Sequence, residues 1–273
     1  ALEITLLGPR LEFGKKTVIA VTGAPVKVFL NRNEIPMWQN VEVNPGDVLS
    51  FSYVQGGVHA YVCISGGINV PEVMGSKSTY TQSSLGGFEG RKLQPGDVID
   101  SGEPLPGVSK QVGKRIPEEF LPCFEKEIDV RVALGLASYR ISDEGIRAFL
   151  NGNWKVSPES NRVAYRFHGP TLDFEPFETP FGAGSGFSNV VDTAYPLGGI
   201  LLTNSQEIII QLSDATTGGG FMTFGAVISA DLNLIAQSRP STLVRFSAVT
   251  VNQAYQARQE NKMKLVKVAD QLK

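Results

Sequence analysis

Val58-His59-Ala60-Tyr61-Val62-Cys63-Ile64-Ser65-Gly66-Gly67 is a run of β-branched, aromatic and small apolar residues that ends on a glycine pair. Such residues suit a pleated, half-buried surface, and paired glycines end a strand in a turn. The same pattern recurs at 17–23 (TVIAVTG), 207–214 (EIIIQLSD) and 243–251 (LVRFSAVTV). Leu2-Glu3-Ile4-Thr5-Leu6 alternates, and Val26-Lys27-Val28-Phe29-Leu30 does so less strictly. Pro45-Gly46-Asp47 precedes VLSFSYV, and Pro95-Gly96-Asp97 precedes VID, so a turn followed by a strand is expected at both places. Proline sets one φ, glycine frees the next, and aspartate bonds its own backbone.

Helices are expected to be few. Ser142-Asp143-Glu144 caps one that runs to about Leu150, with acids in its first turn. Residues 229–237 (SADLNLIAQ) form another, stopped before Pro240, and the tail from Gln253 reads as helical or frayed. Many turns and few helices predict an all-β barrel or sandwich. An internal echo divides it. Leu7-Gly8-Pro9-Arg10-Leu11-Glu12-Phe13 parallels His168-Gly169-Pro170-Thr171-Leu172-Asp173-Phe174. Asn44-Pro45-Gly46-Asp47-Val48-Leu49-Ser50-Phe51 parallels Arg239-Pro240-Ser241-Thr242-Leu243-Val244-Arg245-Phe246, in the same order. Two related β units follow, at 1–110 and 131–251, with a Pro- and charge-rich connection at 111–130 and a tail at 252–273.

The 273 residues suffice for one large domain or two small ones. Lys+Arg 25 against Asp+Glu 27 leaves a net charge of -2, which excludes a nucleic-acid surface built on basic excess. Hydrophobic residues at 42% and charged residues at 19% are globular proportions. Cys63 and Cys123 lie in apolar surroundings and are expected as buried thiols of a reducing compartment, hence the cytoplasm. His59 and His168 lack metal-ligand spacing, so no metal site of the chain's own is expected. Apolar runs fall well short of the ~18 residues of a membrane span, and no signal peptide is visible. A start inside a strand without Met is expected of a processed or truncated product.

Four stretches carry the polar chemistry. The first is Ser65-Gly66-Gly67 with Gly75-Ser76-Lys77-Ser78-Thr79-Tyr80. The others are Gly86-Gly87-Phe88-Glu89-Gly90-Arg91, Ser160-Asn161-Arg162 with Tyr165-Arg166, and Asp214-Ala215-Thr216-Thr217-Gly218-Gly219-Gly220. Glycine pairs let backbone N–H groups approach an oxyanion, and hydroxyls add donors. Glu89 and Arg91 supply a base and an anion clamp, or only a surface ion pair worth ~0–1 kcal/mol. Neither GxxxxGK[ST] nor GxSxG with a histidine partner occurs.

Ile64-Ser65-Gly66-Gly67-Ile68-Asn69-Val70-Pro71-Glu72-Val73-Met74-Gly75-Ser76-Lys77-Ser78-Thr79-Tyr80, followed by GGFEGRKLQPGD, resembles the biotin-dependent carboxyltransferase family, also called the allophanate hydrolase subunit 2 family. The resemblance continues through Ser160-Asn161-Arg162, Tyr165-Arg166, Gly169-Pro170 and Asp214-Ala215-Thr216-Thr217-Gly218-Gly219 to VISADL. The family includes the C subunit of bacterial 5-oxoprolinase, the carboxyltransferase part of urea carboxylase, and antagonists of a sporulation-kinase inhibitor. Three departures are visible: an N-terminal QD-x-GR segment common in the family is not in this chain, Thr-Thr-Gly-Gly-Tyr ends here as Thr217-Gly218-Gly219-Gly220-Phe221, and Arg-Met-Gly-Tyr-Arg reads Arg162-Val163-Ala164-Tyr165-Arg166.

The resemblance implies two cyclophilin-like β-barrel units and a partner of the family's subunit 1 type (the B subunit of 5-oxoprolinase), possibly with the A subunit. It implies ATP-dependent opening of a small cyclic amide, 5-oxoproline, to glutamate, with Mg²⁺ alongside ATP. On this reading Glu89, Arg91 and Asp214 are catalytic. Ser76, Ser78, Thr79, Tyr80, Gly86, Gly87, Asn161, Arg162, Arg166, Thr216, Thr217, Gly218 and Gly219 bind substrate or nucleotide, and the Glu89–Arg91 and Asp214–Gly219 loops share a cleft. Two alternatives stay open: carboxyl transfer to urea or a related amide from biotin carried by another protein, and a non-catalytic protein that antagonises a kinase inhibitor.

Overall fold

Strand-forming runs fill most of the chain. In the computed structural model the described residues, 1–104, 106–184 and 186–272, hold seventeen strands and three α-helices. The all-β reading therefore holds. The chain divides into two compact units, Ala1–Pro122 with the last residues from Val268, and Cys123–Lys267.

The first unit contains β1 (Leu2–Thr5), β2 (Leu11–Glu12), β3 (Thr17–Gly23), β4 (Val28–Leu30), β5 (Asn33–Ile35), β6 (Val41–Val43), β7 (Val48–Phe51) and β8 (His59–Ile64). They form two antiparallel sheets, β1-β8-β3-β6 and β2-β7-β4-β5. The two-residue period of the strands decides what is buried. Ile4, Ile19, Val21, Ala60 and Val62 all lie in the core. Cys63 falls on the opposite face of β8, across from Ala20, and is exposed, as is Cys123. The expectation of two buried thiols is thereby corrected: apolar neighbours in sequence do not bury a residue whose strand parity points outward.

The second unit contains β9 (Glu127–Leu134), α1 (Asp143–Asn151), β10 (Trp154–Val156), β11 (Ala164–His168), β12 (Asn189–Ala194), β13 (Gly199–Asn204), β14 (Glu207–Gln211), β15 (Gly218–Phe221), β16 (Thr223–Val227), α2 (Leu232–Ala236), β17 (Leu243–Ala248) and α3 (Val251–Gln271). Seven strands close a barrel in the order β10-β11-β14-β13-β16-β9-β17, while β12 and β15 form a separate ribbon. β17 closes the ring, antiparallel to β10 and parallel to β9. Helix α1 begins where expected, because Ser142 Oγ accepts the Gly145 N–H at 3.0 Å. It drives Phe149 into the core, stacked on Phe246 at 4.8 Å and edge-on to Phe224 at 4.7 Å. Helix α3 starts on a reciprocal capping box. Thr250 Oγ1 accepts from the Gln253 N–H, and Gln253 Oε1 accepts from the Thr250 N–H. Among the described residues no helix is long and apolar enough to cross a membrane.

The helix expected over 229–237 shortens to α2, because the Asp231 carboxylate holds the Arg131 side chain and backbone N–H at 2.7–2.9 Å. Both echoes have structural counterparts. A Cβ on Gly8 would lie 2.4 Å from the Phe51 ring, and one on Gly169 would lie 2.3 Å from the Trp154 ring. Each glycine therefore admits an aromatic ring against the backbone. In the second echo, Asp47 Oδ2 accepts the Asn44 N–H at 2.7 Å, and Thr242 Oγ1 accepts the Arg239 N–H at 3.2 Å. The third residue of both turns has positive φ, Gly46 at 85° and Ser241 at 74°. Gln94-Pro95-Gly96-Asp97 repeats this turn, with Gln94 N–H on Asp97 Oδ2 at 2.7 Å, but no strand follows it.

Candidate functional site

In the first unit the polar stretches build one folded loop region after β8. Val73 and Ser76 pair around Met74 and Gly75, both with positive φ, as a type I′ turn requires. Ser76 Oγ accepts the Ser78 N–H at 3.1 Å, and Tyr80 and Leu85 pair across a second turn. A Cβ on Gly86 would lie 2.5 Å from the Ser78 carbonyl oxygen, and one on Gly87 would lie 1.7 Å from Thr79 Oγ1. Ser78, Thr79, Gly86 and Gly87 are thus brought together, with the glycines serving close packing of the loop on itself.

The loop closes through Arg91. Its Nη1 and Nη2 donate to Asp97 Oδ2 and Oδ1 at 2.8 and 2.9 Å, while Nε and Nη2 donate to Glu89 Oε2 at 3.0 and 2.6 Å. Asp97 lies in the third Pro-Gly turn, so its carboxylate ties that turn to the glycine loop. The Arg91 guanidinium, helped by the Gln94 N–H, holds the Asp97 carboxyl at about 2, below its usual value. Asp97 also raises the Arg91 pKa. Glu89 and Arg91 are therefore adjacent, as the spacing implied. The anion clamp, however, already holds two carboxylates, and an external anion must displace one. Asp97 was legible as a turn residue but not as the partner of Arg91.

In the second unit Asn161 Oδ1 accepts the Val163 N–H at 2.9 Å and shapes the turn into β11. Arg162 Nε donates to Asp214 Oδ2 at 2.9 Å across 52 residues of sequence, which joins the third and fourth stretches. Arg166 Nη1 donates to Glu207 Oε1, which also accepts from Thr203 Oγ1 at 2.6 Å, and His168 Nδ1 lies 3.7 Å from Glu207 Oε2. Glu207 is buried. Only its place at the head of an apolar strand marked it in the sequence.

The fourth stretch is not a loop throughout. Gly218, Gly219 and Gly220 belong to β15, antiparallel to β12, with Gly219 opposite Thr193. A Cβ on Gly219 would lie 2.9 Å from the Tyr195 hydroxyl, which accepts the Phe221 N–H at 2.6 Å. Thr217 accepts the Tyr195 N–H through its carbonyl, and Thr216 is exposed. Asp214 to Gly219 thus lie in the second unit, and Glu89 and Arg91 in the first.

Beside this ribbon is a cleft of about 380 Å³, lined by Gly182, Ala183, Asn189 to Asp192, Gly220 and Phe221. The fourth polar stretch reaches it at Gly220, one residue beyond the last of the expected binding residues, Gly219. One wall is fixed by Arg140, which is 2% exposed. Its Nη1 donates to the Asn189 carbonyl at 2.8 Å and its Nη2 to the Phe187 carbonyl at 2.6 Å, with the Phe177 ring 3.8 Å from Cζ. Burial lowers the Arg140 pKa. Among the described residues no carboxylate pairs with it.

Among the described residues no group of three or more His, Cys, Asp or Glu converges, and two of the residues expected to be catalytic, Glu89 and Asp214, each hold an arginine. Arg91, expected to be catalytic, and Arg162 and Arg166, expected to bind substrate or nucleotide, are each bound to carboxylates.

Residues 1–248 match the family model of the carboxyltransferase domain, subdomains A and B, and the chain belongs to that family. It is 34% identical to the urea amidolyase of Saccharomyces cerevisiae over 90% of this chain and 14% of the relative. It is 28% identical to the 5-oxoprolinase C subunit of Haemophilus influenzae over 97% of this chain and 80% of the relative. The crystal structure of Kluyveromyces lactis urea carboxylase superposes with a TM-score of 0.90 at 33% identity, covering 97% of this chain and 24% of that one. The chain thus spans about a seventh of the urea amidolyases it matches and most of a 5-oxoprolinase subunit. These relatives are enzymes or enzyme subunits.

Proposed function

We propose that this chain is the carboxyltransferase part, subdomains A and B, of an enzyme that acts with further subunits on a small, uncharged amide or urea. The carrying observation is the agreement over 97% of the chain with urea carboxylase at a TM-score of 0.90. The pairing of Arg91, Arg162 and Arg166 with carboxylates supports a neutral substrate over an anionic one. In the reaction the N–C bond to the biotin ureido nitrogen breaks, the carboxyl group passes to the substrate nitrogen, and the proton that nitrogen loses ends on the biotin ureido nitrogen. Biotin is then a substrate group carried by another protein, and ATP with Mg²⁺ belongs to other subunits.

A second reading, an ATP-dependent 5-oxoprolinase component, is supported by the 80% coverage of a 5-oxoprolinase C subunit. Both readings require a partner of the family's subunit 1 type. The test is to co-purify the chain with the subunits encoded beside it. Carboxyl transfer from labelled carboxybiotin to urea is then measured beside ATP-dependent glutamate release from 5-oxoproline. Transfer to urea is the expected result. Glutamate release without transfer establishes the second reading, and a tight complex with neither activity makes the chain a binding protein.

A further inference from the structure

Helix α3 is amphipathic in the reverse of the usual sense. The match to the family model ends at residue 248, before the helix begins. On one face Ala257 is buried and Ala254 and Val268 are half-buried, so two of the three side chains turned inward are alanine. The larger apolar side chains point outward: Val251, Tyr255, Leu265 and Val266 are 76%, 62%, 65% and 44% exposed. With Arg258 and Lys262 between them, they recur at helical spacing along one stripe about 22 Å long. Among the described residues neither of these cations is in an ion pair.

The second unit also carries a surface of opposite sign. Residues 173–192 contain Asp173, Glu175, Glu178 and Asp192 but no Lys, Arg or His. All four acids are exposed, and among the described residues none is in an ion pair. Phe177 and Phe181 stand between them, 42% and 105% exposed. This surface is held in shape from beneath. Arg140 lies under the Phe177 ring with its Nη atoms on the Phe187 and Asn189 carbonyls, and the Phe174 and Phe187 rings meet at 4.4 Å. The buried guanidinium offsets only one of the four negative charges. A register slip between Asn189 and Thr193 bulges β12 and brings Asp192 to the cleft beside Gly182, the residue after Phe181.

We infer that these two surfaces bind each other between two copies of the chain. The α3 stripe of one copy docks on the acidic, aromatic face of the next, with Arg258 and Lys262 opposite the acids and Tyr255 and Leu265 against Phe177 and Phe181. Exposed apolar side chains set among charges of one sign are the make-up of an interface, and here each surface carries the sign that the other lacks. Pairing of two α3 helices with each other is disfavoured, because an antiparallel pair brings Arg258 and Lys262 of both copies together at its centre. A lipid surface is disfavoured as well, because these cations interrupt the apolar stripe instead of flanking it. Since the two surfaces differ, the contact is head-to-tail, and each copy offers its helix and receives another. Exposed ion pairs add little affinity, so the apolar side chains supply it and the charges choose the partner. The contact does not depend on which reaction the assembled enzyme performs.

The test is sedimentation velocity on the 273-residue chain with its charges exchanged. The wild-type chain should self-associate with rising concentration at ~50 mM salt, and less at ~500 mM, where charges are screened. Arg258→Glu with Lys262→Glu, and separately Glu175→Lys with Glu178→Lys, should each weaken self-association about tenfold or more. Mixing the two variants should restore it, because the acidic helix of one meets the basic face of the other while the unaltered helix and face still match. Phe181→Ser should weaken association at either salt concentration. All five positions are exposed, so melting temperatures close to wild type show that the variants are folded. A wild-type chain that stays monomeric, charge variants that associate like wild type, or a mixture without restored association overturns the inference. A monomeric chain that instead binds a neighbouring subunit through the same residues overturns it too.

Discussion

Gly169 and Gly8 occupy matching places in the two units, and replacing each by alanine should have unequal consequences. A Cβ on Gly169 would lie 2.3, 2.5 and 2.8 Å from three atoms of the Trp154 ring. Carbon atoms settle at about 3.5–4.0 Å, so the ring must retreat by more than ~1 Å. It has little room, because Trp154 is fully buried and packs against Phe149 and Phe246. Its Nε1–H also donates to the Phe149 carbonyl at 3.0 Å, and the retreat would break that bond. Overpacking costs about 1–3 kcal/mol and an orphaned buried donor about 1–3 kcal/mol. Gly169→Ala should therefore cost about 3 kcal/mol. Gly8→Ala meets Phe51 at 2.4 Å, but that ring is half-buried and can swing aside, so about 1 kcal/mol is expected.

The assay is built into the sequence, since the two tryptophans, Trp38 and Trp154, lie one in each unit. In a Trp38→Phe background, fluorescence reports the second unit alone. For a unit of roughly 150 residues, 3 kcal/mol lowers Tm by about 6–12 °C. Equal losses at the two positions, or an unchanged second-unit transition in Gly169→Ala, would refute the reasoning.

Two further predictions concern the ion pairs. Because Asp97 is held at about 2, below its unfolded value, the tie it makes to Arg91 is fully present above pH ~4 and is lost as pH falls through 2. Asp97→Asn should loosen it at neutral pH, read as faster amide exchange over residues 86–97; unchanged exchange would count against the clasp. Glu207→Ala removes a buried acceptor from Arg166 and Thr203 and should cost about 2–3 kcal/mol, less than the sum of its bonds because Arg166 is partly exposed and has Glu159 near it. A double-mutant cycle with Arg166→Met should show coupling above about 1 kcal/mol, and simple additivity would deny the pairing.

The strands were the most legible elements. Residues 17–23 became β3, and the capped helix at 143 began where Ser142 and its acids placed it. These features depend on neighbours in sequence. What stayed hidden depends on distant ones. The same Pro-Gly-Asp turn leads into a strand after Asp47 but not after Asp97, because the second aspartate is bound to Arg91. Glycine was the hardest residue to read. Close packing and ligand approach both require a missing Cβ, and only the fold shows that a Cβ on Gly87 would overlap Thr79 while one on Gly220 would meet Val190 and Asp192 at ordinary contact distance.

The arginines carry the same argument to the chemistry. Arg91, Arg162 and Arg166 stand in polar, glycine-rich surroundings, which in sequence look like anion clamps. Glu89 beside Arg91 was visible in the spacing, but the second carboxylate of Arg91 comes from 6 residues away and those of Arg162 and Arg166 from 52 and 41, so spacing along the chain conceals these three pairs. Once paired, each guanidinium contributes less field to an incoming anion, because the adjacent carboxylate offsets its charge at close range. The one carboxylate placed on the cleft by a bulge has no such partner among the described residues.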